Sequence, residues 1–242
     1  MAGLTMGSFF NVAGLRVPIG TSVVSPRSHC PSCHTPLTFI DLIPFFSYFF
    51  LKGKCRTCRI SISLFYPLIE LSTGLLFLSA WLVFGFTWEL ALSLVFLSMC
   101  MIITVSDLAY MIIPDKVLLT AGGVLLFLRM SVAPLDPWWG PFAGAFTGFV
   151  LLYVIALVSN GGIGGGDIKL FAVLGLMFGW KEVLLVFFLS ICIGSMIGGI
   201  GMITGRVAKG KPLPFGPFIV LGALICLFSG EKVIKWYTGL YL

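Results

Sequence analysis

The sequence predicts an all-α polytopic membrane protein with about eight transmembrane helices and one long polar insert. Hydrophobic residues make up 59% of the 242 residues and charged residues only 10%, whereas a soluble domain carries about 25% charged residues. The mean hydropathy is +1.10. Because so few charged groups cannot cover a water-facing surface, the composition excludes a soluble enzyme and indicates a protein of the bilayer.

Eight apolar segments account for the predicted helices. They are 1–14, 64–86, 89–106, 114–132, 139–158, 168–180, 183–204 and 214–230. Breakers separate them: Gly85, the Pro134–Pro137 stretch, the glycine run at 161–166, and Pro212 with Pro214. The long polar stretch 15–63 lies between the first and second segments, so the chain divides into a first helix (1–14), an insert (15–63) and a membrane domain of about seven helices (64–242).

Two of the segments are short. At 1.5 Å per residue, segment 1–14 covers about 21 Å, less than a hydrocarbon core of about 30 Å, so we expect local bilayer thinning or a clipped chain start. No cleavable signal peptide is evident, because no lysine or arginine precedes the first apolar run. Segment 168–180 is expected to continue a helix that begins in the glycine run.

The basic residues predict the orientation. With the insert in the cytoplasm, 11 lysines and arginines lie inside and 4 lie outside, which is the bias of the positive-inside rule. The inside set is Arg16, Arg27, Lys52, Lys54, Arg56, Arg59, Lys116, Lys169, Arg206, Lys209 and Lys211, and the outside set is Arg129, Lys181, Lys232 and Lys235. We therefore expect a protein of the cytoplasmic membrane with both termini outside. This placement accounts for the net charge of +6 without a nucleic-acid partner.

Four of the seven cysteines lie in the insert as two Cys-x2-Cys pairs, with 21 residues between the pairs. They are Cys30, Cys33, Cys55 and Cys58. Paired knuckles of this kind predict a tetrahedral zinc site, and a cytoplasmic insert keeps the thiols reduced. Lys54, Arg56 and Arg59 would offset the charge of four thiolates. Because four protein ligands close the coordination sphere, the zinc is expected to be structural.

Other interpretations of the cysteines stay open. The pairs could be redox-active or incidental, and His29 or His34, which flank the first pair, could replace a ligand. Cys100, Cys192 and Cys226 lie singly in apolar segments and are expected to be small core residues.

Two of the nine acidic residues are candidate catalytic groups. Asp107 ends the third predicted helix and Asp167 begins the sixth, so the predicted topology places both carboxylates at the cytoplasmic face. Two adjacent carboxylates share a proton, so one can activate water while the other polarises a peptide carbonyl. The glycine run would let a substrate strand approach. Alternatively, Asp167 is an N-cap and Asp107 an ordinary interfacial residue. Asp115 could be a first-turn residue, and Glu70 could line the same cavity.

At these residues the chain resembles the type IV prepilin peptidase family, of the GxGD class of membrane aspartyl proteases. The matching elements are Gly7-Ser8-Phe9-Phe10-Asn11, Arg16-Val17-Pro18, Ser25-Pro26-Arg27-Ser28-His29-Cys30-Pro31-Ser32-Cys33, Gly53-Lys54-Cys55, Tyr66-Pro67-Leu68-Ile69-Glu70, Ile113-Pro114-Asp115, Gly164-Gly165-Gly166-Asp167-Ile168-Lys169 and Pro214-Phe215-Gly216-Pro217-Phe218. A lone GxGD is a weak signal, whereas this ordered set with paired knuckles is specific.

The resemblance implies an enzyme that removes the basic leader of prepilins and pseudopilins at the cytoplasmic membrane face. It implies Asp107 and Asp167 as the catalytic pair and a non-catalytic Asp115. Family members with the cysteine insert also methylate the new N-terminal amine with S-adenosylmethionine, so both activities are expected, although no Rossmann-type fingerprint is present. Residues expected to bind substrate or methyl donor are Glu70, Gly164, Gly165, Gly166 and Lys169. Prepilins and the lipid bilayer are the expected partners, and an oligomer is left open.

Two other functions are compatible with parts of the sequence. One is a GxGD protease for other membrane proteins, which the paired cysteines and the Pro-Phe-Gly element disfavour. The other is a proton- or metal-coupled transporter in which the two aspartates carry protons. The large cysteine insert and the lack of a convincing internal repeat disfavour the transporter.

Overall fold

Helices occupy all eight predicted apolar segments in the structure, a computed structural model that describes residues 1–30, 32–38, 41, 43–159, 162–205 and 213–239. These residues form α1 (Ala2–Arg16), α2 (Phe46–Phe50), α3 (Phe65–Phe84), α4 (Trp88–Tyr110), α5 (Asp115–Ser131), α6 (Gly140–Val158), α7 (Gly165–Phe178), α8 (Trp180–Ile203) and α9 (Gly216–Gly239). Some residues used in the sequence analysis lie outside the described ranges: Pro31, Gly161, Arg206, Lys209, Lys211 and Pro212.

Three helices differ from the apolar segments in an informative way. As expected, α7 begins in the glycine run, at Gly165. Helix α9 continues to Gly239, well beyond residue 230. Glu231 and Lys235 lie one turn apart in this extension and form an exposed ion pair of 2.6 Å. Charged residues therefore end the apolar segment but not the helix. The short helix α2, Phe46–Phe50, was not predicted.

Five helices are long and apolar enough to cross a bilayer: Phe65–Phe84, Trp88–Tyr110, Gly140–Val158, Trp180–Ile203 and Gly216–Tyr237. The remaining long helices, α1, α5 and α7, have 15, 17 and 14 residues. At 1.5 Å per residue these reach only about 21–26 Å, short of the core thickness of about 30 Å. The described chain is therefore a helical protein with five candidate spans, and the eight-span topology stays a prediction.

Helix α4 forms the centre of the helical assembly. It packs against α1, α3, α5 and α9, and its side chains Leu92, Phe96 and Ile103 are fully buried. Helices α6 and α7 cross at Gly144 and Gly175, where a methyl group would overlap the opposite backbone. Small residues at such crossings allow close packing of membrane helices.

The outer helices instead expose large apolar side chains. Leu82 on α3 is 68% exposed, Phe146 on α6 is 70% exposed and Phe188 on α8 is 63% exposed. Soluble proteins rarely leave such extended apolar faces in water. These faces are therefore suited to contact with lipid chains.

Arg129 ties three helices together at the end of α5. Its Nε donates to the carbonyl of Met177 at 3.0 Å, and its Nη1 donates to the carbonyl of Ala133 at 3.1 Å and to the carboxylate of Glu89 at 2.7 Å. The arginine side chain is 7% exposed, whereas that of Glu89 is 42% exposed. From the sequence, Arg129 was predicted only to lie outside, among the basic residues that indicate the orientation.

Replacing Arg129 with methionine is expected to lower the thermal unfolding midpoint by several degrees. Two carbonyls would lose their donor, at about 1–3 kcal/mol for each buried group left unpaired. Unfolding in detergent, followed by intrinsic fluorescence, measures the effect. Glu89→Gln is the matched control, and its effect should be smaller because the carboxylate is partly solvated. Equal midpoints for Arg129→Met and the parent would contradict this role.

Candidate functional site

Asp107 lies in the last turn of α4 and is 5% exposed. The helix ends just after it, at Met111, which adopts a left-handed conformation and donates its N–H to the carbonyl of Asp107 at 2.8 Å. The Oδ2 atom of Asp107 accepts a hydrogen bond of 2.9 Å from the backbone N–H of Gly216. A helix N-terminus carries partial positive charge, so the start of α9 stabilises a carboxylate at this position.

Asp167 lies in the first turn of α7 and is half-buried. The alternative interpretation of this residue as an N-cap is wrong, because the N-cap is Gly164 and Asp167 is the third residue of the helix. Its carboxylate interacts electrostatically with that of Asp107 and with the backbone of Gly164. The two carboxylates, 60 positions apart in the sequence, thus lie near enough in the fold for their charges to interact.

The packing around residue 166 explains why a glycine precedes Asp167. A Cβ atom at this position would lie 2.9 Å from Cβ of Ile113, a separation that real Cβ atoms do not show. The first turn of α7 thus packs directly on the segment that joins α4 to α5. Around Gly165, by contrast, a Cβ would meet nothing within 4 Å, so the outer side of this turn is open.

Lys169 and Asp115 form an ion pair beside the two aspartates. The ammonium group of Lys169 lies 2.7 and 2.8 Å from the two carboxylate oxygens of Asp115. The pair joins the first turns of α5 and α7, and both side chains are more than half exposed. An exposed pair of this kind contributes about 0–1 kcal/mol. The visible partner of Lys169 is thus Asp115.

Glu70 lies at the junction of α1, α3 and the insert. Its Oε2 atom accepts a hydrogen bond of 2.7 Å from the backbone N–H of Phe45, and the side chain of Ser8 on α1 also interacts with it. These contacts give Glu70 a role in holding the insert against the membrane helices.

Gly216 lies beside Asp107, although the sequence alone does not single it out. In the sequence it is one member of the Pro-Phe-Gly-Pro element. A Cβ atom here would lie 2.8 Å from Oδ2 and 3.0 Å from Cγ of Asp107. The Pro-Phe-Gly-Pro element could be recognised in the sequence, but only the fold shows that its glycine faces Asp107.

The four insert cysteines form a compact cluster. One sulfur atom from each lies within 4.8 Å of all the others, with 3.7 Å between Cys30 and Cys58 and 3.9 Å between Cys33 and Cys55. Tetrahedral zinc with Zn–S bonds of about 2.3 Å separates its sulfurs by about 3.8 Å. The distances therefore fit a zinc ion and are too long for disulfides, whose S–S bond is about 2.05 Å.

The two knuckles share one backbone design. In each knuckle, the backbone carbonyl of the first cysteine accepts a hydrogen bond from the backbone N–H of the residue that follows the second cysteine. The N–H of His34 donates to the carbonyl of Cys30 at 2.9 Å, and the N–H of Arg59 donates to the carbonyl of Cys55 at 3.1 Å. Both donors adopt positive φ, 55° and 61°. This geometry turns both cysteines of each pair toward one centre, as their spacing predicted.

The electrostatics of the cluster favour a bound cation. Hydrogen bonds with the side chain and then the backbone of Thr35 lower the pKa of Cys33 to about 6. An N–H of Ile60 lowers the pKa of Cys58, but partial desolvation and the neighbouring thiols outweigh it and raise that pKa to about 11. The raised pKa of Cys58 means that all four sulfurs would be thiolates together only with a cation bound among them. Of the basic residues expected to offset the charge, Arg56 binds Asp41 at 2.8 Å instead.

Comparisons with known proteins cover nearly the whole chain. Residues 1–84 match the Bacterial Peptidase A24 N-terminal domain, and residues 94–199 match the Type IV leader peptidase family. A prepilin leader peptidase/N-methyltransferase of Bacillus subtilis is 43% identical over 99% of this chain and 96% of its own length. Proteins of the same name from Aeromonas salmonicida and Aeromonas hydrophila are 34% and 32% identical, over 91% and 99% of this chain and 77% and 92% of their own. No solved structure matches the chain.

Proposed function

Because the chain belongs to the type IV leader peptidase family, we propose that it cleaves the leader peptide of type IV prepilins or pseudopilins and then methylates the new N-terminal amine. The peptidase half is supported by the placement of Asp107 and Asp167 near enough for their negative charges to repel each other. The protein is an enzyme of the membrane, and its relatives carry both activities in their name.

The proposed mechanism uses the two carboxylates as a pair with one proton. The ionised member takes a proton from water as the water oxygen attacks the scissile carbonyl carbon. The protonated member gives its proton to the carbonyl oxygen. When the tetrahedral intermediate collapses, the C–N bond breaks and the proton held by the first carboxylate passes to the leaving amine. At the same time a hydroxyl of the intermediate returns its proton to the second carboxylate as the C=O bond forms again, which restores the starting pair. The pair is expected to titrate as a unit.

The hydrogen bond from Gly216 suggests a division of labour within the pair. A backbone N–H on Oδ2 of Asp107 stabilises the negative charge of that carboxylate. We assign Asp107 as the ionised member and Asp167 as the member that carries the proton. The open side of the turn at Gly165 would admit the substrate strand.

The insert is proposed as a cytoplasmic structural zinc domain. Cys30, Cys33, Cys55 and Cys58 would hold the ion, which supplies the positive charge that four thiolates need. In this arrangement 1–14 is a first membrane helix, 15–63 is a methylation-associated insert and 64–242 is the peptidase domain. The basic residues assigned to the inside support a cytoplasmic catalytic face, which is where the basic leader of a prepilin lies.

The methyl donor is proposed to be S-adenosylmethionine, which supplies the methyl group for the new amine nitrogen. Glu70, Gly164, Gly165, Gly166 and Lys169 stay predicted contacts of substrate or donor. Two of them already have protein partners, since Glu70 binds the N–H of Phe45 and Lys169 binds Asp115. Gly165 is the member of this set with open space beside it.

The test is processing of a purified prepilin by the enzyme in lipid nanodiscs with S-adenosylmethionine. Mass spectrometry of the pilin N-terminus counts cleavage and methylation separately. We expect loss of the leader followed by addition of one methyl group. An intact prepilin after prolonged incubation with folded enzyme would contradict the peptidase assignment, and a cleaved but unmethylated product would contradict the methyltransferase half.

Replacing Cys30 with serine is expected to remove the zinc and to reduce methylation more than cleavage. A missing thiolate opens the tetrahedral site, whereas the aspartate pair lies on helices outside the insert. Metal content by elemental mass spectrometry is the primary readout, and Cys192→Ser on α8 is the control. Wild-type zinc content in Cys30→Ser would show that this cluster is not the metal site.

A further inference from the structure

Helix α2 presents three phenylalanines on the surface of the insert. Phe46, Phe49 and Phe50 are 43%, 76% and 80% exposed. We call these three residues the aromatic patch. Aromatic side chains normally contribute large buried areas, so a cluster with this exposure marks a contact surface.

The patch is held outward by the inner face of the same helix. The hydroxyl of Tyr48 points into the insert and donates to the carbonyl of Ile62 at 3.2 Å. It also packs against Gly53, where a Cβ atom would lie 2.7 Å from the hydroxyl oxygen. With Tyr48 fixed inward, Phe49 and Phe50 have a defined outward direction.

The depth of the patch follows from one hydrogen bond. Phe45, which directly precedes α2, donates its N–H to Glu70 at 2.7 Å. Glu70 is the sixth residue of α3, which is a candidate membrane span. Five residues of helix rise about 7.5 Å, so α2 begins level with the first two turns of a membrane helix. Leu64 and Leu68, at the same end of α3, are 64% and 57% exposed.

Two basic residues follow the patch in the sequence. Lys52 and Lys54 come directly after α2 and are exposed, and neither takes part in an ion pair among the described residues. Aromatic rings beside lysines are the pattern of segments that lie in the interface of an anionic bilayer. The chain thus offers both an apolar and an electrostatic contact at one depth.

We propose that the aromatic patch, with Lys52 and Lys54, anchors the insert to the surface of the bilayer that holds the enzyme. The phenylalanines enter the interfacial region, and the two ammonium groups contact anionic phospholipid headgroups. This contact would hold the cysteine cluster close to the membrane. The proposal rests on the embedding of the chain in a membrane and is independent of the cleavage chemistry.

The test places a tryptophan at position 50 in the full-length enzyme in nanodiscs that contain anionic phosphatidylglycerol. The fluorescence of the native tryptophans is subtracted with the parent protein. We expect Phe50→Trp to give blue-shifted emission, strong quenching by lipids brominated on the acyl chain and weak quenching by aqueous acrylamide. The matched control is Thr57→Trp, an exposed position of the same insert, for which the opposite pattern is expected.

Three outcomes decide the proposal. Equal acrylamide quenching at positions 50 and 57, without lipid quenching, would show that the patch faces water and would overturn it. Protection of position 50 from both quenchers would show a protein contact, such as a second copy or the substrate, and would also overturn it. Unchanged lipid quenching of Phe50→Trp in the added Lys52→Glu/Lys54→Glu background would remove the electrostatic part. Zinc content verifies that each variant is folded, and leader cleavage, assayed in parallel, reports on the proposed function separately.

Discussion

Replacement of Asp107 or Asp167 with asparagine is expected to abolish leader cleavage. Asparagine keeps the size and polarity of the side chain but can neither hold nor release the shared proton. Positioned proton transfer contributes about 100- to 10,000-fold to a rate, so each single change should bring cleavage below detection. Because the two carboxylates act as one unit, the double variant should be no worse than either single one.

The measurement is cleavage of a prepilin in membranes, with enzyme levels compared on the same samples. Asp115→Asn is the matched control, because Asp115 begins the helix that follows α4 but pairs with Lys169 at the surface. Loss of an exposed pair costs about 0–1 kcal/mol, so this variant should keep most of its activity. If Asp107→Asn or Asp167→Asn still cuts at near the parent rate, the shared-proton mechanism is wrong. The transporter interpretation of the two aspartates would then gain weight.

The aspartate pair could be proposed from the sequence because charge is rare in this chain. With nine acidic residues in all, the predicted topology placed two at one membrane depth, and the family resemblance then singled out both. The cysteine cluster could also be predicted from the sequence, because a Cys-x2-Cys spacing directs both thiols of a pair toward the same point. The sulfur separations of 3.7 and 3.9 Å agree with the predicted zinc site.

Other features depend on contacts that residue types do not encode. Helix α2 was missed because a five-residue apolar run has too few turns to reveal a period. From the sequence, Arg129 indicates only the orientation, whereas two of its three hydrogen bonds join segments far apart in the chain. The eight-span topology rests on hydropathy and charge, and among the described residues five helices satisfy length and composition by themselves.

Gly216 is the clearest example of a role that becomes visible only in the fold. What it contributes is a backbone N–H at the start of α9, 109 positions from the carboxylate that receives it. No pattern of side chains reports such a contact. The lack of a side chain is required as well, because Oδ2 of Asp107 occupies the space where a Cβ atom would be.

Replacement of Gly216 with alanine is therefore expected to reduce kcat for leader cleavage by about 100-fold, the effect of displacing a catalytic group by about 1 Å. The new methyl group would lie 2.8 Å from Oδ2 of Asp107 and must displace that carboxylate. KM should change little, because the substitution touches no residue proposed to bind substrate. Steady-state kinetics on a fluorogenic leader peptide would separate the two parameters.

Gly199→Ala on α8 is the matched control, since a Cβ at that position would meet nothing within 4 Å. Its kcat should equal that of the parent. The thermal unfolding midpoint of Gly216→Ala, measured in the same detergent, separates a displaced carboxylate from a damaged fold. A folded Gly216→Ala enzyme with parental kcat would mean that Asp107 works without the geometry imposed by α9. The assignment of Asp107 as the ionised member of the pair would then lose its structural basis.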